Sequence, residues 1–131
     1  MTKAFFKRAV PYADDEMNLP VEDVPAAVPF YESIFGMNCV STSETPHASA
    51  VLTRDDSQIR LAENGGDPTQ EGCFFEVDNV EKAFEELCSN GLAKDDPKYS
   101  VESFDDRYSY RVFYVVAPDG LCFCIGEPVT P

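Results

Sequence analysis

The chain repeats itself at an offset of 56 residues, and no other feature constrains its folding as much. VEDVPAAVPFYESIFGM begins at Val21, and VDNVEKAFEELCSNGL begins at Val77. The offset sets Val24 on Val80, Ala27 on Ala83 and Ser33 on Ser89. A one-residue slip then brings Gly36 to Gly91 and Met37 to Leu92. Each copy reads as a strand, a capping Asp or Asn, a helix and a Gly stop.

The second helix is the clearer one. Asp78 or Asn79 can cap it, Glu81 suits the positive end of the helix dipole, and Gly91 ends it. Val80, Ala83, Phe84 and Leu87 recur at the spacing of one helical face. The first helix carries Val24, Ala27, Val28, Tyr31 and Phe35 on one side. Pro29 within it removes a backbone donor and is expected to kink or delay it. Strand patterns follow each helix: 37–43, 47–54 and 57–63 in the first copy, with Asp55-Asp56 as a tight turn, and 98–104, 109–117 and 121–127 in the second, with Pro118-Asp119-Gly120 as a turn. Both copies are therefore βαβββ. The expected organisation of residues 1–131 is a single α+β domain, with a first unit at 14–63, a flexible linker at 64–71 and a second unit at 72–128.

Composition narrows the partners. A net charge of −14 disfavours nucleic-acid backbones and anionic membranes, and would steer a cationic ligand inward. No apolar run approaches the roughly 20 residues of a membrane span. MTKAFFKRAVPYADDE lacks the apolar stretch of a signal peptide, and the five cysteines follow no framework spacing, so a cytoplasmic chain with reduced thiols is expected. The single histidine, His47, removes any site built on a His pair. It reads as a surface or strand-edge residue.

The two βαβββ copies, with FYESIFGM at 30–37 and RVFYVVAPDG leading into a final strand, resemble the vicinal oxygen chelate superfamily of glyoxalases, bleomycin-resistance proteins and extradiol dioxygenases. The resemblance covers about residues 14–128. Ala117 departs from the usual DPDG turn. The resemblance implies that each copy curls into a half-open barrel around a cavity, and that chains of this size pair as homodimers. It also implies four metal-ligand positions, which fall here on Glu16, Arg60, Gly72 and Cys124. A guanidinium has no lone pair, and glycine offers no side chain. The expectation is therefore a member with no metal site and no cofactor, closest to the bleomycin-resistance-like proteins.

Strand periodicity extends the cavity lining. Asn18 accompanies Glu16, and Phe74 and Glu76 accompany Gly72. Cys122 accompanies Cys124, with Phe123 and Ile125 in the core. Residues 109–117 admit two phases, one turning Tyr110, Val112 and Tyr114 inward and the other Arg111 and Phe113. Arg107, Arg111, Tyr108 and Tyr110 could rim the cavity, although Arg111 also suits an exposed strand position. Glu16 and Arg60 would share the cavity, either as an internal ion pair or as anchors for a ligand's amine and carboxylate. A catalytic-base role for Glu16 is disfavoured, because a neighbouring arginine lowers its pKa. Cys122 and Cys124 read as small apolar filling.

The expected function is binding of a small, partly aromatic molecule in a cavity lined by Glu16, Asn18, Arg60, Phe74, Glu76, Tyr110, Arg111 and Cys124, with sequestration of a drug or metabolite as one version. The alternatives are a metal-dependent lyase, isomerase or dioxygenase with a degenerate metal site, and a partner-binding scaffold.

Overall fold

The structure, a computed structural model, describes residues 4–11, 19–45, 47–92, 96–103 and 109–129. Strand β1 is Phe6–Pro11. The first repeat unit follows as β2 (Leu19–Pro20), α1 (Val24–Ser33), β3 (Asn38–Ser43), β4 (Ser49–Arg54) and β5 (Ser57–Ala62). A 3-10 turn at Pro68–Gln70 leads into the second unit: β6 (Gly72–Val77), α2 (Val80–Ser89), β7 (Ser100–Ser103), β8 (Ser109–Val116) and β9 (Cys122–Val129).

The two units share one topology. The first sheet runs β2-β5-β4-β3, and the second β6-β9-β8-β7 with β1 added beside β6. In each unit the first strand pairs parallel with the last, and the other pairings are antiparallel. The sheets are open, with no closed barrel.

Local chemistry explains the helices. Asp23 accepts the Ala26 N–H and Asn79 accepts the Lys82 N–H, so each helix has a side-chain N-cap. Each also uses a glutamate from the end of its own unit's last strand. Glu63 accepts the Val24 N–H at 2.9 Å, and Glu127 accepts the Val80 N–H at 2.8 Å. Gly91, at φ +115°, ends α2 in a conformation that costs an L side chain strain. Pro29 does not delay α1, which starts directly after Asp23 and continues to Ser33. The ring lies on the exposed side, where water can serve the carbonyl it leaves unbonded.

One core serves both units. Phe35 packs on Phe75 with ring centroids 5.5 Å apart, and Tyr31 meets Phe123 edge-on at 5.6 Å. Tyr31 is fully buried and donates its hydroxyl to Asp119, which also accepts the Leu121 N–H. The FY pair of the first unit and the PDG turn of the second are thus joined by a hydrogen bond across 88 residues of chain. The segment that joins the two units contains the 3-10 turn at Pro68–Gln70. Asp67 caps the 3-10 turn, and Thr69 lies against Gly120, where an added Cβ would come within 3.2 Å.

Strand β1 has no counterpart in the sequence expectations. Phe6 is fully buried and meets Phe75 edge-on at 5.4 Å, with the Arg54 guanidinium 4.3 Å above its ring. Arg54 also forms a two-pronged ion pair with Glu86 of α2, at 2.6 and 2.7 Å, and donates to the Phe35 and Ala4 carbonyls. The Ala4 N–H donates to Glu86, the Phe5 N–H to Asp78 and the Phe6 N–H to Asp55. This cluster fastens the first unit, α2 and the segment before β1 to one another.

Candidate functional site

Each sheet has one face on the shared core and one turned away from it. On β8, Phe113 and Val115 go to the core, so Tyr110, Val112, Tyr114 and Val116 occupy the outward face. The register carries this phase across the sheet. Tyr114 lies opposite Cys124, Cys124 beside Phe74, and Phe74 opposite Val10. Phe74, Tyr110, Val112 and Cys124 are all buried and form a second apolar cluster, separate from the core. Tyr114 and Val116 continue it and are exposed.

The packing of this cluster depends on Gly126. It lies between Glu76 and Val112 in the ladder, and a Cβ there would sit 2.7 Å from Val112 Cγ1 and 2.9 Å from Phe74 Cε1. The Phe74 ring therefore lies over β9, with the Tyr110 ring edge-on at 4.9 Å. The Tyr110 hydroxyl reaches Glu76 at 3.4 Å and receives a bond from Arg8 at 3.3 Å. Arg8 donates to Glu76 at 2.9 Å, and Lys7 lies 3.8 Å away. The Glu76 bond holds the Arg8 guanidinium above its ordinary pKa, against the opposing effect of burial. One end of the aromatic face is thus a closed polar network.

Phe74, Glu76, Tyr110 and Cys124 come together on one face, which resolves the two phases left open for 109–117 in favour of Tyr110. Arg111 does not join them. It points to the helix side of the sheet, where it bonds Glu81 of α2 at 2.8 Å and stacks over Tyr99 at 4.2 Å. The pleat requires this once Tyr110 and Val112 face outward. Arg60 is exposed on the outward face of the first sheet, and its guanidinium reaches the Ser49 hydroxyl at 3.3 Å. No carboxylate pairs with it among the described residues. Glu16, Asn18, Arg107 and Tyr108 lie outside those residues. His47 is half-buried just ahead of β4, and none of the five cysteines is in a disulfide. Arg8 and Glu102, the second of which lies opposite Tyr110 on β7, were not anticipated. The alternation of β7 carried the only signal for Glu102.

The metal-ligand positions implied by the fold do not fit a divalent ion. Arg60 is a cation, Gly72 has no donor, and burial pushes the Cys124 thiol up to about 12, which keeps it protonated. No three His, Cys, Asp or Glu side chains gather to hold a metal among the described residues.

A sizeable concavity lies elsewhere. It is a groove of about 750 Å³ between the helices, bordered by Glu32, Gly36, Arg54, Glu85 and Asn90. Its buried charges already satisfy one another through the Arg54–Glu86 pair, so the groove reads as a seam between packed elements.

Comparison with known proteins adds the following. A family model described as the Glyoxalase/Bleomycin resistance protein/Dioxygenase superfamily matches residues 14–124. No curated protein matches. Among solved structures, one from the mobile metagenome of V. Pseudocholerae is similar at a TM-score of 0.65 and 21% identity, covering 90% of this chain and 95% of that one. A bleomycin-binding protein complexed with bleomycin gives 0.58 and 20%, covering 88% and 98%. TnmS3, an antibiotic binding protein from Streptomyces sp. CB03234, gives 0.58 and 17%, covering 90% and 98%. At these identities the structural likeness speaks to the fold.

Proposed function

The chain belongs to the glyoxalase/bleomycin resistance protein/dioxygenase superfamily, and from that premise we propose that it is a small-molecule-binding member that sequesters a drug or metabolite. The observation that carries this reading is the separate cluster of Phe74, Tyr110, Val112 and Cys124 on a sheet face that the chain's own core does not use. Apolar rings bordered by a few polar groups are the usual make-up of a ligand pocket. The bleomycin-binding and antibiotic-binding relatives of the same fold support the reading by analogy.

In this proposal the working unit is a homodimer. The aromatic face of one protomer's second sheet and the Arg60 face of its partner's first sheet enclose the ligand. The rings bury its apolar body, and Arg60 grips a carboxylate or another oxygen acceptor. No bond-making step is assigned, because the donor set lacks what the metal-dependent chemistry needs.

Isothermal calorimetry against a panel of cationic glycopeptides, bleomycin included, and small aromatic compounds tests the proposal. A saturable heat for at least one member, lost on Phe74→Ala in a variant that stays folded, is the expected result. Silence across the panel at high protein concentration would contradict it.

A further inference from the structure

Among the described residues two carboxylates stand on the aromatic face, and they differ in kind. Glu76 is neutralised by Arg8 and Lys7. Glu102 lies directly opposite Tyr110 on edge strand β7, is half-buried, and has no cation within ion-pair distance among the described residues. Among the described residues its one hydrogen bond comes from the Ser100 hydroxyl at a long 3.4 Å. The row between Tyr110 and Tyr114 holds Val112, fully buried, and its partner Ser100. Two tyrosines thus flank a small-residue floor, with a carboxylate at the rim that no described cation neutralises.

A half-buried carboxylate beside aromatic rings attracts a cation twice, through its charge and through the ring quadrupoles. It repels an anion and gives a neutral ligand nothing. We infer that Glu102 selects the ligand class: an organic cation, an ammonium group joined to an aromatic or apolar body, with the ammonium at Glu102 and the body against Tyr110, Tyr114 and Phe74. The inference rests on the proposed binding function and adds a specificity-determining residue to it. The net charge of −14 would concentrate such a ligand near the molecule, while Glu102 would fix its orientation.

The test uses an isosteric pair, 4-hydroxyphenyltrimethylammonium and 4-tert-butylphenol, which differ in the charge on one quaternary centre. Each is titrated at millimolar concentration into the full chain and into Glu102→Gln, and dissociation constants are read from the Val112 methyl and Tyr114 ring resonances. Circular dichroism checks that the variant is folded. The expected result is a preference for the cation of about tenfold, abolished by Glu102→Gln with the phenol's affinity unchanged. Equal affinities in the unmodified chain would overturn the inference, as would a preference that survives Glu102→Gln. In both cases the phenol would still bind, and the binding function would stand. If neither compound shifts these resonances, the inference falls together with the site.

Discussion

Arg54 and Glu86 show how much can rest on two side chains. Both are buried, and they bond each other twice. Removing one partner strands the other's charge, so Glu86→Leu should cost about 3–5 kcal/mol in urea unfolding. Arg54→Met with Glu86→Leu should recover part of that loss, the remainder being the Ala4 and Phe35 backbone groups left without these partners. A second prediction concerns alkaline pH. Cys124 and Tyr114 ionise near 9 and 10 when unperturbed and near 12 in the fold, chiefly through burial. The folded state therefore holds these protons more tightly than the unfolded chain. That stabilising contribution is complete below about pH 9 and is lost as pH climbs towards 12. Thermal midpoints across this range should fall, and less steeply in Cys124→Ala. At this scale the sequence was legible where alternation was clean. Phe74, Glu76 and Cys124 followed from the pleat. Strand β8 has apolar residues on both faces, so Tyr110 and Arg111 could not be told apart until Phe113 was seen in the core. Arg54 left no such signal, because its partners lie 32 and 50 residues away.

The repeat governs the elements. Both helices were legible from their Asp and Asn caps and from the 3.6-residue period, and the strands after them from the turns at Asp55-Asp56 and Pro118-Asp119-Gly120. The glutamates that complete the helix N-termini were not, since Glu63, just past β5, and Glu127, on β9, act from far along the chain. Asn79→Ala should cost about 1 kcal/mol through the lost cap of α2, measured by chemical denaturation. Gly126→Ala tests the aromatic face as a unit. Its Cβ would press on Val112 and Phe74, and overpacking of this kind costs about 1–3 kcal/mol. Ligand affinity should fall with it, because Phe74 can no longer lie over β9. A stability loss with unchanged affinity would place the binding surface elsewhere. Strand β1 escaped the sequence reading because FFKRAVP has no clean period of two and lies ahead of the repeat. Its place is set by tertiary bonds to Asp55, Asp78 and Glu86, which local propensity does not register.

At the scale of the molecule, back-to-back units present two outward sheet faces of different character, one aromatic and one bearing Arg60. In the proposed dimer these faces complement each other across a two-fold axis, giving two equal cavities. Sedimentation equilibrium should return twice the chain mass, and an aromatic face carrying Tyr114→Lys and Val116→Lys should return the single mass. The central claim, that the aromatic face of the second sheet binds an organic cation, is tested most directly by mapping the protein's NMR shifts on titration with 4-hydroxyphenyltrimethylammonium. Perturbations concentrated at Phe74, Glu102, Tyr110, Val112, Tyr114 and Cys124 are the predicted result. Perturbations concentrated instead at Glu32, Glu85 and Asn90, in the groove between the helices, would contradict it.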